Sequence, residues 1–372
     1  MSRTCEVRSL HRVTYENGMQ IQEAFVDLRQ RDEVPDQLFL LEHPPVITLG
    51  RGGRAANLLS PIEALEADGV RYYETTRGGD ITWHGPGQIV GYPIIHLGEG
   101  RRDVRKYVTR LEEVLIRTAR DFGVEAARIE GKRGIWVGIE KLAAIGVRIA
   151  RWVTSHGFAF NIDSDLAHYR HITPCGIEGM GVTSLSRLTR TSISRETVIA
   201  SMTRHFAELF EREIVTLDHD LMVAKAILHD GGRLLLLHRR PDCGGFWQPV
   251  TGAIDAGEDP LAAARREIKE ETGQNVEPEP LDLRQSFIID PASMRSAGRL
   301  PLFADETSFL ARADSRASLA IDTEEHDDWR WFTFQEAYEK IRWTDDRDAI
   351  ERAGRLLEQR RRTDRPIMSD IA

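Results

Sequence analysis

The sequence is poor in cysteine and has no long apolar segment. Its three cysteines, Cys5, Cys175 and Cys243, are too few and too widely separated for a disulfide framework or a zinc site. No apolar run approaches the roughly 20 residues that span a bilayer, and the first residues lack the apolar core of a signal peptide. We therefore expect a cytoplasmic protein without a membrane partner.

Positive charge is not in excess either. Lysine and arginine total 50 against 59 aspartate and glutamate residues, which gives a formal charge of −9. General nucleic-acid binders need surplus positive charge to displace counterions from phosphates, so no nucleic-acid partner is expected. The chain is 41% hydrophobic and 29% charged, the profile of a globular protein. Its 372 residues exceed one ordinary core and predict two domains.

The apolar periodicity divides the chain near residue 212. Before that point the sequence predicts helices and the strands of a mixed sheet, at 19–28 (helix), 37–49 (strand broken by two prolines), 104–122 (helix), 134–163 (strands) and 194–211 (helix). Beyond it, two apolar runs flank the turn sequence HDGGR and predict a hairpin. The predicted organisation is a domain at 1–212, a linker at 213–220, a second domain at 221–358 and a flexible tail at 359–372.

A glycine-rich segment, RGGDITWHGPGQ at 77–88, surrounds His84. Glycines leave the backbone bare, so a substrate can approach main-chain N–H groups closely. By themselves these residues are more typical of a turn with an incidental histidine. Other segments are needed to decide between the two interpretations.

Cys175 is the candidate nucleophile of the first domain. A lone cysteine is more often a small buried apolar residue, but Pro174 and Gly176 form a rigid turn that can expose the sulfur. Only the thiolate attacks, and an ordinary thiol with a pKa of about 8.5 needs a nearby cation to ionise at neutral pH. Lys141 is a candidate cation, because a pKa shift of about 1.5 units requires only roughly 2 kcal/mol. The sequence leaves open whether Lys141 and Cys175 meet.

The first domain resembles the lipoyl(octanoyl) transferases over about residues 8–210. The resemblance rests on five segments in the family's order: HPPVITLGR, RGGDITWHGPGQ, EKLAAIG, WVTSHGFAFNID and PCGI…GVTSL. It implies the mixed-sheet fold of biotin and lipoate ligases and transfer of octanoyl from acyl carrier protein to a lysine. The acceptors would be the lipoyl domains of 2-oxoacid dehydrogenases and the glycine cleavage H protein. No cofactor is expected in this domain.

Carried onto this sequence, the resemblance makes Cys175 the acyl-thioester nucleophile and Lys141 the residue that lowers its pKa. The implied substrate-binding residues are Arg77, Gly78, Gly79, Asp80, Ile81, Thr82, Trp83, His84, Ala144, Ile145, Gly146, Gly157, Phe158 and Ala159. The alternative is a lipoate or biotin ligase, which would activate a free acid with ATP and would not need the cysteine. A basic cluster is a possible contact for the acidic carrier, or equally a solvated helix start: Arg101, Arg102, Arg105 and Lys106.

The second domain contains a dense acidic pattern in GAIDAGEDPLAAARREIKEETG. Asp259 is placed to cap a helix that starts at Pro260 and ends at Gly273. The helical spacing puts the carboxylates of Glu267, Glu270 and Glu271 on one face, which is unfavourable without a cation. Such oxygen ligands suit Mg²⁺ or Mn²⁺. A merely solvated acidic face is disfavoured by the fixed spacing of Gly252, Glu258, Arg266 and Gly273.

This pattern resembles the Nudix hydrolases, which implies an α/β/α sandwich and metal-dependent cleavage of a diphosphate. Gln274 stands where the family usually has an aliphatic residue, and we expect it to affect packing more than catalysis. Within the family, FWQPVTG, RWF and WTDDRDAIERA resemble dihydroneopterin triphosphate diphosphatase over about residues 219–358. The implied metal ligands are Glu267, Glu270, Glu271 and Glu325.

The same resemblance gives Glu267 a catalytic role and makes Arg239 and Thr251 substrate contacts, while Trp247 and Trp331 are expected in the core. Two alternatives remain for this half. One is a MutT-like nucleoside triphosphate pyrophosphatase, and the other is an inactive module that binds a nucleotide and regulates the transferase. The overall expectation is an α+β protein of two domains with two activities.

Overall fold

The computed structural model describes residues 4–98, 102–174, 179–289 and 300–363. The chain divides into two compact units, Met1–Asp218 and His219–Ala372. Cys175 and Arg101 lie outside the described residues. No helix within these ranges is long and apolar enough to cross a membrane.

The first unit combines a large mixed sheet, a small sheet and flanking helices. Its elements are β1 (Thr4–Arg12), α1 (Tyr15–Gln30), β2 (Asp36–Glu42), β3 (Val46–Leu49), α2 (Ile62–Ala67), β4 (Arg71–Glu74), β5 (Ile81–His84), β6 (Gln88–Ile94), α3 (Val104–Asp121), β7 (Ala127–Ile129), β8 (Lys132–Val137), β9 (Glu140–Ala150), β10 (Val153–Asn161), β11 (Gly181–Val182), α4 (Leu185–Thr189), α5 (Arg195–Phe210) and β12 (Glu213–Thr216).

The large sheet of this unit has the order β12-β1-β2-β6-β10-β9-β8-β7. The β12–β1 and β1–β2 pairs are parallel, and the following pairs are antiparallel. Helices α3 and α5 bury Leu111, Leu115 and Phe206 in the main core against this sheet. The small sheet, β4-β3-β5, has its own core around Trp83. A mixed-sheet domain is therefore confirmed.

One boundary differs from the sequence prediction. Residues 213–216, placed in the predicted linker, form β12 and pair with Thr4–Val7 of β1. The strand is short and mostly exposed, so its side chains carry no alternation that distinguishes a strand from a linker. Its partner lies about 200 residues away in the chain, and only the folded sheet shows the pairing.

The second unit is a sheet with helices on both faces. Its elements are β13 (Leu221–His229), β14 (Arg233–Arg239), β15 (Trp247–Gln248), β16 (Val250–Ala253), α6 (Pro260–Thr272), β17 (Glu279–Ile289), β18 (Leu302–Arg312), β19 (His326–Thr333), α7 (Phe334–Lys340) and α8 (Thr344–Thr363). Strands run in the order β15-β14-β13-β18-β17, with β16 paired to β13 and β19 to β14.

Alternate residues of β13 face opposite helices, as a strand inside a sandwich requires. Ala224 packs with Ala264 of α6, whereas Ile227 shares a core cluster with Ile350 of α8. This is the expected α/β/α arrangement. Helix α8 continues to Thr363, so residues 359–363 of the predicted flexible tail are helical; the Arg360 guanidinium donates to a Glu279 carboxylate oxygen at 2.9 Å. Residues 364–372 of that tail lie outside the described part.

A buried ion cluster lies between the sheet and α8. The Lys225 ammonium is 2.6 Å from a Glu306 carboxylate oxygen and also pairs with Asp346. All three side chains are buried. Burial raises the pKa of both Glu306 and Asp346, while the charge of Lys225 opposes that rise. A buried charge is tolerated only beside groups of opposite charge, so the pairs of Lys225 with Glu306 and Asp346 fix α8 against β13 and β18.

Candidate functional sites

A cavity of about 360 Å³ opens in the first unit, and strands β9 and β10 form its floor. The antiparallel register places Ala144 opposite Ala159 and Gly146 opposite Gly157. Directly opposite residues share one face of a sheet, so these small residues form one bare patch. A Cβ atom on Gly157 would lie 2.1 Å from the carbonyl oxygen of Gly91, so only glycine fits there. Gly146 is also tightly packed, since a Cβ atom there would lie 2.7 Å from the carbonyl oxygen of Gly78. The two glycines therefore let neighbouring backbone pack closely on the strands, and Ala144 and Ala159 give this part of the cavity a small apolar lining.

The loop before β5 forms one wall of the cavity. Arg77 is buried, and its guanidinium donates to Thr48 Oγ1 at 2.9 Å and to the Thr48 carbonyl oxygen at 2.7 Å. The Asp80 carboxylate accepts from Asn57 Nδ2 at 2.6 Å and from the Ile81 backbone N–H at 2.7 Å. Both charged groups therefore hold the loop in place.

A chain of hydrogen bonds leads from this wall to Thr183, in the stretch 172–185 that contains Cys175 and is called the Cys175 segment below. His84 Nδ1–H donates to Gln88 Oε1 at 2.8 Å, and Gln88 Nε2 donates to Asn161 Oδ1 at 2.8 Å. Asn161 Nδ2 then donates to the carbonyl oxygen of Thr183 at 2.9 Å. This chain sets the tautomer of His84. Because the Gln88 amide nitrogen donates to Asn161, the Gln88 amide oxygen faces His84 Nδ1 and can only accept, so Nδ1 carries the proton. His84 Nε2 is therefore the acceptor, with Thr48 Oγ1 3.5 Å away.

Three buried histidines around the cavity are held neutral. Burial lowers the pKa of His43 to about 4 and that of His84 well below its usual value. Burial, followed by the charge of Arg77, lowers the pKa of His156 to about 3. His43 Nδ1–H donates to the Val13 carbonyl oxygen at 2.7 Å. These imidazoles can accept protons or hydrogen bonds but do not carry positive charge at neutral pH.

Lys141 is buried in the cavity wall, with its ammonium 4.6 Å from the centre of the Trp136 ring. The Thr183 backbone N–H donates to the carbonyl oxygen of Lys141 at 3.0 Å, and Val182 of β11 pairs with Lys141 in register. On the other side of the Cys175 segment, the Thr173 backbone N–H donates to the Asn57 carbonyl oxygen at 2.8 Å. Both described ends of that segment are thus anchored beside the cavity, one of them on Lys141 itself.

Most of the predicted substrate-binding residues line this one cavity: Arg77, Gly79, Asp80, Ile81, Thr82, His84, Ala144, Ile145, Gly146, Gly157, Phe158 and Ala159. Gly78 does not; its N–H donates to Val147 and ties the loop to β9. Trp83 does not either, because side chains alternate along β5 and its indole is fully buried in the core of the small sheet.

Sequence reasoning did not identify several cavity residues. Tyr15, Tyr92 and His156 contribute to its wall, and Lys132 and Arg133 add positive charge. His156 lies inside a segment that carried the resemblance, and the basic pair Lys132 and Arg133 begins β8. Both were available signals. In the predicted carrier-binding cluster, Arg102, Arg105 and Lys106 are exposed, and the Arg102 guanidinium lies 5.1 Å from the centre of the Trp152 ring.

In the second unit, the acidic pattern forms a capped helix as predicted. Asp259 Oδ1 accepts from the Leu261 backbone N–H at 2.9 Å, and Gly273 follows the last turn of α6. Arg266 organises the surrounding carboxylates: it pairs with Glu258 at 2.8 Å, Glu267 at 2.6 Å and Glu270 at 3.1 Å.

Glu271, Glu325 and His326 form a group of possible metal ligands whose atoms lie within 4.8 Å of one another. Burial raises the pKa of Glu271 to about 9, with repulsion from Glu267 and Glu325 adding to the rise. One carboxylate oxygen of Glu271 is buried without a hydrogen-bond partner among the described residues. A divalent cation would satisfy this oxygen and relieve the repulsion, so the residues present fit a metal site.

The remaining predicted ligands are placed differently. The carboxylate of Glu267 rests directly on Gly252, where a Cβ atom would lie 1.8 Å from its carboxyl carbon. The Glu270 side chain is 58% exposed, and its carboxylate shares one Arg266 guanidinium nitrogen with Glu267, at 3.1 and 2.6 Å. The carboxylates of Glu267 and Glu270 therefore lie close together across Arg266, and the role of Glu270 as a metal ligand stays a prediction. His326 was not predicted, although it directly follows Glu325 in the sequence.

The predicted substrate contacts lie next to this group. Arg239 is 3.2 Å from a Glu325 carboxylate oxygen, and the Thr251 backbone N–H donates to Glu271. Gln274, in place of an aliphatic residue, exchanges two hydrogen bonds with the Asp314 backbone, at 3.1 and 3.2 Å. The glutamine thus ties the end of α6 to the loop after β18. Trp247 and Trp331 are half-buried against core clusters.

Comparison with known proteins assigns both units. Residues 14–207 match the lipoyl protein ligase A/B catalytic domain, and residues 219–353 match the NUDIX domain. An octanoyltransferase from Myxococcus xanthus is 38% identical over 360 residues, covering 94% of this chain and 99% of that protein. The chain belongs to the octanoyltransferase family. It carries an acyltransferase domain followed by a Nudix hydrolase domain, as the sequence predicted.

Other relatives match one domain alone. An octanoyltransferase from Solibacter usitatus is 48% identical over 213 residues, covering 57% of this chain and 96% of that protein. Among solved structures, a lipoate-protein ligase A bound with ATP is 14% identical, covers 57% of this chain and 90% of its own, and has a TM-score of 0.46. The E. coli dihydroneopterin triphosphate pyrophosphohydrolase is 26% identical, covers 35% and 92%, and has a TM-score of 0.31.

Proposed function

We propose that the transferase domain moves octanoyl from octanoyl-acyl carrier protein to a lysine of a lipoyl domain through a thioester on Cys175. The observation that carries this proposal is the cavity, where residues from separate sequence segments converge beside Lys141. The acceptors are the lipoyl domains of 2-oxoacid dehydrogenases and the glycine cleavage H protein. The positive charge of Lys132 and Arg133 at the cavity favours an acidic carrier protein.

The reaction proceeds in two exchanges. The Cys175 thiolate attacks the carbonyl carbon of the carrier thioester, the bond from that carbon to the carrier sulfur breaks, and the carrier leaves as a thiolate that takes up a proton. The amine of the acceptor lysine then attacks the acyl-enzyme, an amide forms, and the Cys175 thiolate is released as the amine loses a proton. The first exchange is nearly balanced because both species are thioesters, and the second is downhill because an amide forms. No nucleotide is needed.

Individual residues have separate roles in this scheme. The Lys141 ammonium stabilises the Cys175 thiolate and lowers the pKa of the thiol. Neutral His84 presents Nε2 as a proton acceptor or an orienting group for the incoming amine. The small apolar side chains of Ala144 and Ala159 leave room in the cavity for the acyl chain.

Mass spectrometry of the full chain after incubation with octanoyl-acyl carrier protein tests this scheme. We expect a mass increase of one octanoyl group that Cys175→Ala abolishes and that Cys243→Ala, at the half-buried cysteine of the second domain, preserves. An undiminished adduct in Cys175→Ala would remove the nucleophile assignment. Octanoylation of a lipoyl domain that depends on ATP and free octanoate would instead indicate a ligase.

For the second domain we propose cleavage of a diphosphate linkage in a small-molecule triphosphate, with dihydroneopterin triphosphate as the first candidate. Mg²⁺ or Mn²⁺ would be held by Glu267, Glu271 and Glu325, and when bound it would neutralise phosphate charge and favour ionisation of water. Arg239 would bind a phosphate oxygen and Thr251 would position the substrate. Glu267 is the candidate to accept the proton of the attacking water.

A substrate panel separates the candidate reactions. Pyrophosphate release from dihydroneopterin triphosphate and from the nucleoside triphosphates is measured with and without Mg²⁺. Preference for the pterin supports the proposal, and preference for a nucleotide indicates the MutT-like reaction. Glu271→Gln should abolish turnover, whereas Glu277→Gln, at an exposed carboxylate, should not. Binding without turnover by the wild-type chain would indicate a regulatory module.

A further inference from the structure

His326 is a buried histidine with unsatisfied nitrogens. It is the first residue of β19 and is only 1% exposed. Within the described part of the chain, neither Nδ1 nor Nε2 has a hydrogen-bond partner. Buried polar atoms in folded proteins are nearly always partnered, so an imidazole with neither nitrogen bonded to the described residues calls for a water molecule or an ion as its partner.

The surroundings of His326 indicate the nature of that ligand. A ring nitrogen of His326 lies within 4.8 Å of carboxylate oxygens of Glu271 and Glu325. The free carboxylate oxygen of Glu271 is also buried and unpartnered in the described residues. An imidazole nitrogen and two carboxylates have lone pairs to donate and converge on one point. A cation, rather than an anion or an apolar group, complements such a set.

We propose that His326 is a nitrogen ligand of the Nudix metal and gives the site a preference for a first-row transition-metal ion, Mn²⁺ or Co²⁺, over Mg²⁺. The inference rests on the proposed function, in which Glu271 and Glu325 hold a divalent cation. Mg²⁺ selects oxygen ligands and dehydrates reluctantly, whereas imidazole binds the transition metals well. A site built from carboxylates alone would have no such preference for nitrogen-binding ions.

Electron spin-echo measurements on Mn²⁺ test the nitrogen ligand directly. The full chain is stripped of metal with a chelator and loaded with less than one equivalent of Mn²⁺. Coordination by His326 predicts modulation from directly bound ¹⁴N in the wild-type spectrum. The modulation should vanish in His326→Asn and persist in His238→Asn, a matched control because His238 lies on the neighbouring strand and pairs instead with Asp327 at 2.6 Å.

Competition between metals tests the preference. In Mn²⁺ titrations followed by the signal of the free ion, His326→Asn should weaken Mn²⁺ binding by about 10–100-fold, the range for loss of a group that supports a metal site. Mg²⁺ competes in the same titration, and its affinity should change by less than about threefold because Mg²⁺ depends on the oxygen ligands. His238→Asn should leave both affinities unchanged.

The outcomes separate this inference from the function on which it rests. Mn²⁺ binding that is lost in Glu271→Gln but shows no ¹⁴N modulation in the wild type would overturn the role of His326 and leave the hydrolase site intact. An unchanged ratio of Mn²⁺ to Mg²⁺ affinity in His326→Asn would overturn the preference. Absence of any Mn²⁺ binding by the wild-type chain would overturn the metal site itself and this inference with it. A wild-type spectrum without ¹⁴N modulation would overturn the nitrogen ligand even where the variant fails to fold.

Discussion

The backbone N–H of Thr183 donates to the carbonyl oxygen of Lys141, and this 3.0 Å hydrogen bond joins the Cys175 segment to the strand that carries the candidate activating lysine. Lys141 and Cys175 are 34 positions apart in the sequence. The pairing of β11 with β9 therefore brings residues that follow Cys175 in the sequence next to Lys141, in the way that sheet formation joins distant residues.

Lys141→Met should slow acylation by octanoyl-acyl carrier protein about tenfold at pH 7, because an unassisted thiol with a pKa of about 8.5 is mostly protonated. The midpoint of the rate against pH should move up by about 1.5 units. Rapid-mixing measurements of acyl-enzyme formation between pH 6 and 10 check this. Lys141→Arg keeps the charge and should retain part of the shift. An unchanged midpoint in Lys141→Met would contradict the role of the lysine.

Gln88→Leu should lower the turnover number of octanoyl transfer by about tenfold or more while changing the Michaelis constant for the carrier little. The amide of Gln88 fixes the His84 tautomer, and proton transfer by a positioned group contributes at least this much. Steady-state kinetics with both substrates check it. Gln20→Leu, at an exposed glutamine, is the control. A rise in the Michaelis constant with unaltered turnover would place Gln88 in carrier binding instead.

Gly252→Ala should reduce triphosphate hydrolysis by about a hundredfold, because the added Cβ atom would displace the Glu267 carboxylate and misplacement by about 1 Å has effects of this size. Octanoyl transfer, measured on the same preparation, should be unaffected. Gly232→Ala, at an exposed turn with room for a Cβ atom, serves as the control. Full hydrolase activity in Gly252→Ala would mean that hydrolysis does not depend on the position of the Glu267 carboxylate against Gly252.

Acid should destabilise the transferase domain between about pH 6.5 and pH 4. In the folded state the pKa of His43 is lowered to about 4, below the ordinary value of 6.5, so the unfolded state binds more protons in this interval. The free energy of unfolding has its full value above pH 6.5. As the pH falls below 6.5, it decreases by about 1.4 kcal/mol per pH unit for each such histidine. His156 and His84 act in the same direction.

Urea unfolding between pH 4.5 and 7.5, followed through a probe in β5 and β6, measures this dependence. His43→Gln keeps a donor and an acceptor but cannot be protonated, so its unfolding free energy should fall less steeply with acid. Equal slopes for the wild type and His43→Gln would contradict the assignment.

Lys225→Met should destabilise the Nudix domain by about 3–5 kcal/mol, because it leaves the buried carboxylates of Glu306 and Asp346 without their cation. Urea unfolding, followed through hydrogen-exchange protection of β13 and β18, measures the loss. Lys340→Met, at an exposed lysine, should change stability by no more than about 0.5 kcal/mol. A similar midpoint for both variants would mean that the cluster adds nothing to stability.

Local sequence was sufficient to predict a helix where the interactions that form and end that helix are themselves local. The apolar stripe at 104–122 predicted α3, and the capping residues Asp259 and Gly273 predicted both ends of α6. The start of α1 was missed by four residues because Tyr15 and Glu16 carry no helical stripe of their own. That turn is set by the Thr14 cap, whose hydroxyl accepts from the Asn17 N–H, and by the Tyr15 ring packing on His43.

For the candidate sites, too, some features follow from local sequence and others only from the folded structure. The sequence alone determined the two domain families and the motif residues, because each motif is a short run whose spacing is fixed by one helix or loop. Only the tertiary structure decided which side chains meet. Alternation along β5 buries Trp83 in the core of the small sheet, Arg266 pairs with both Glu267 and Glu270, and β19 places His326 beside Glu271. These outcomes depend on residues far apart in the chain that meet only when the sheets and helices pack.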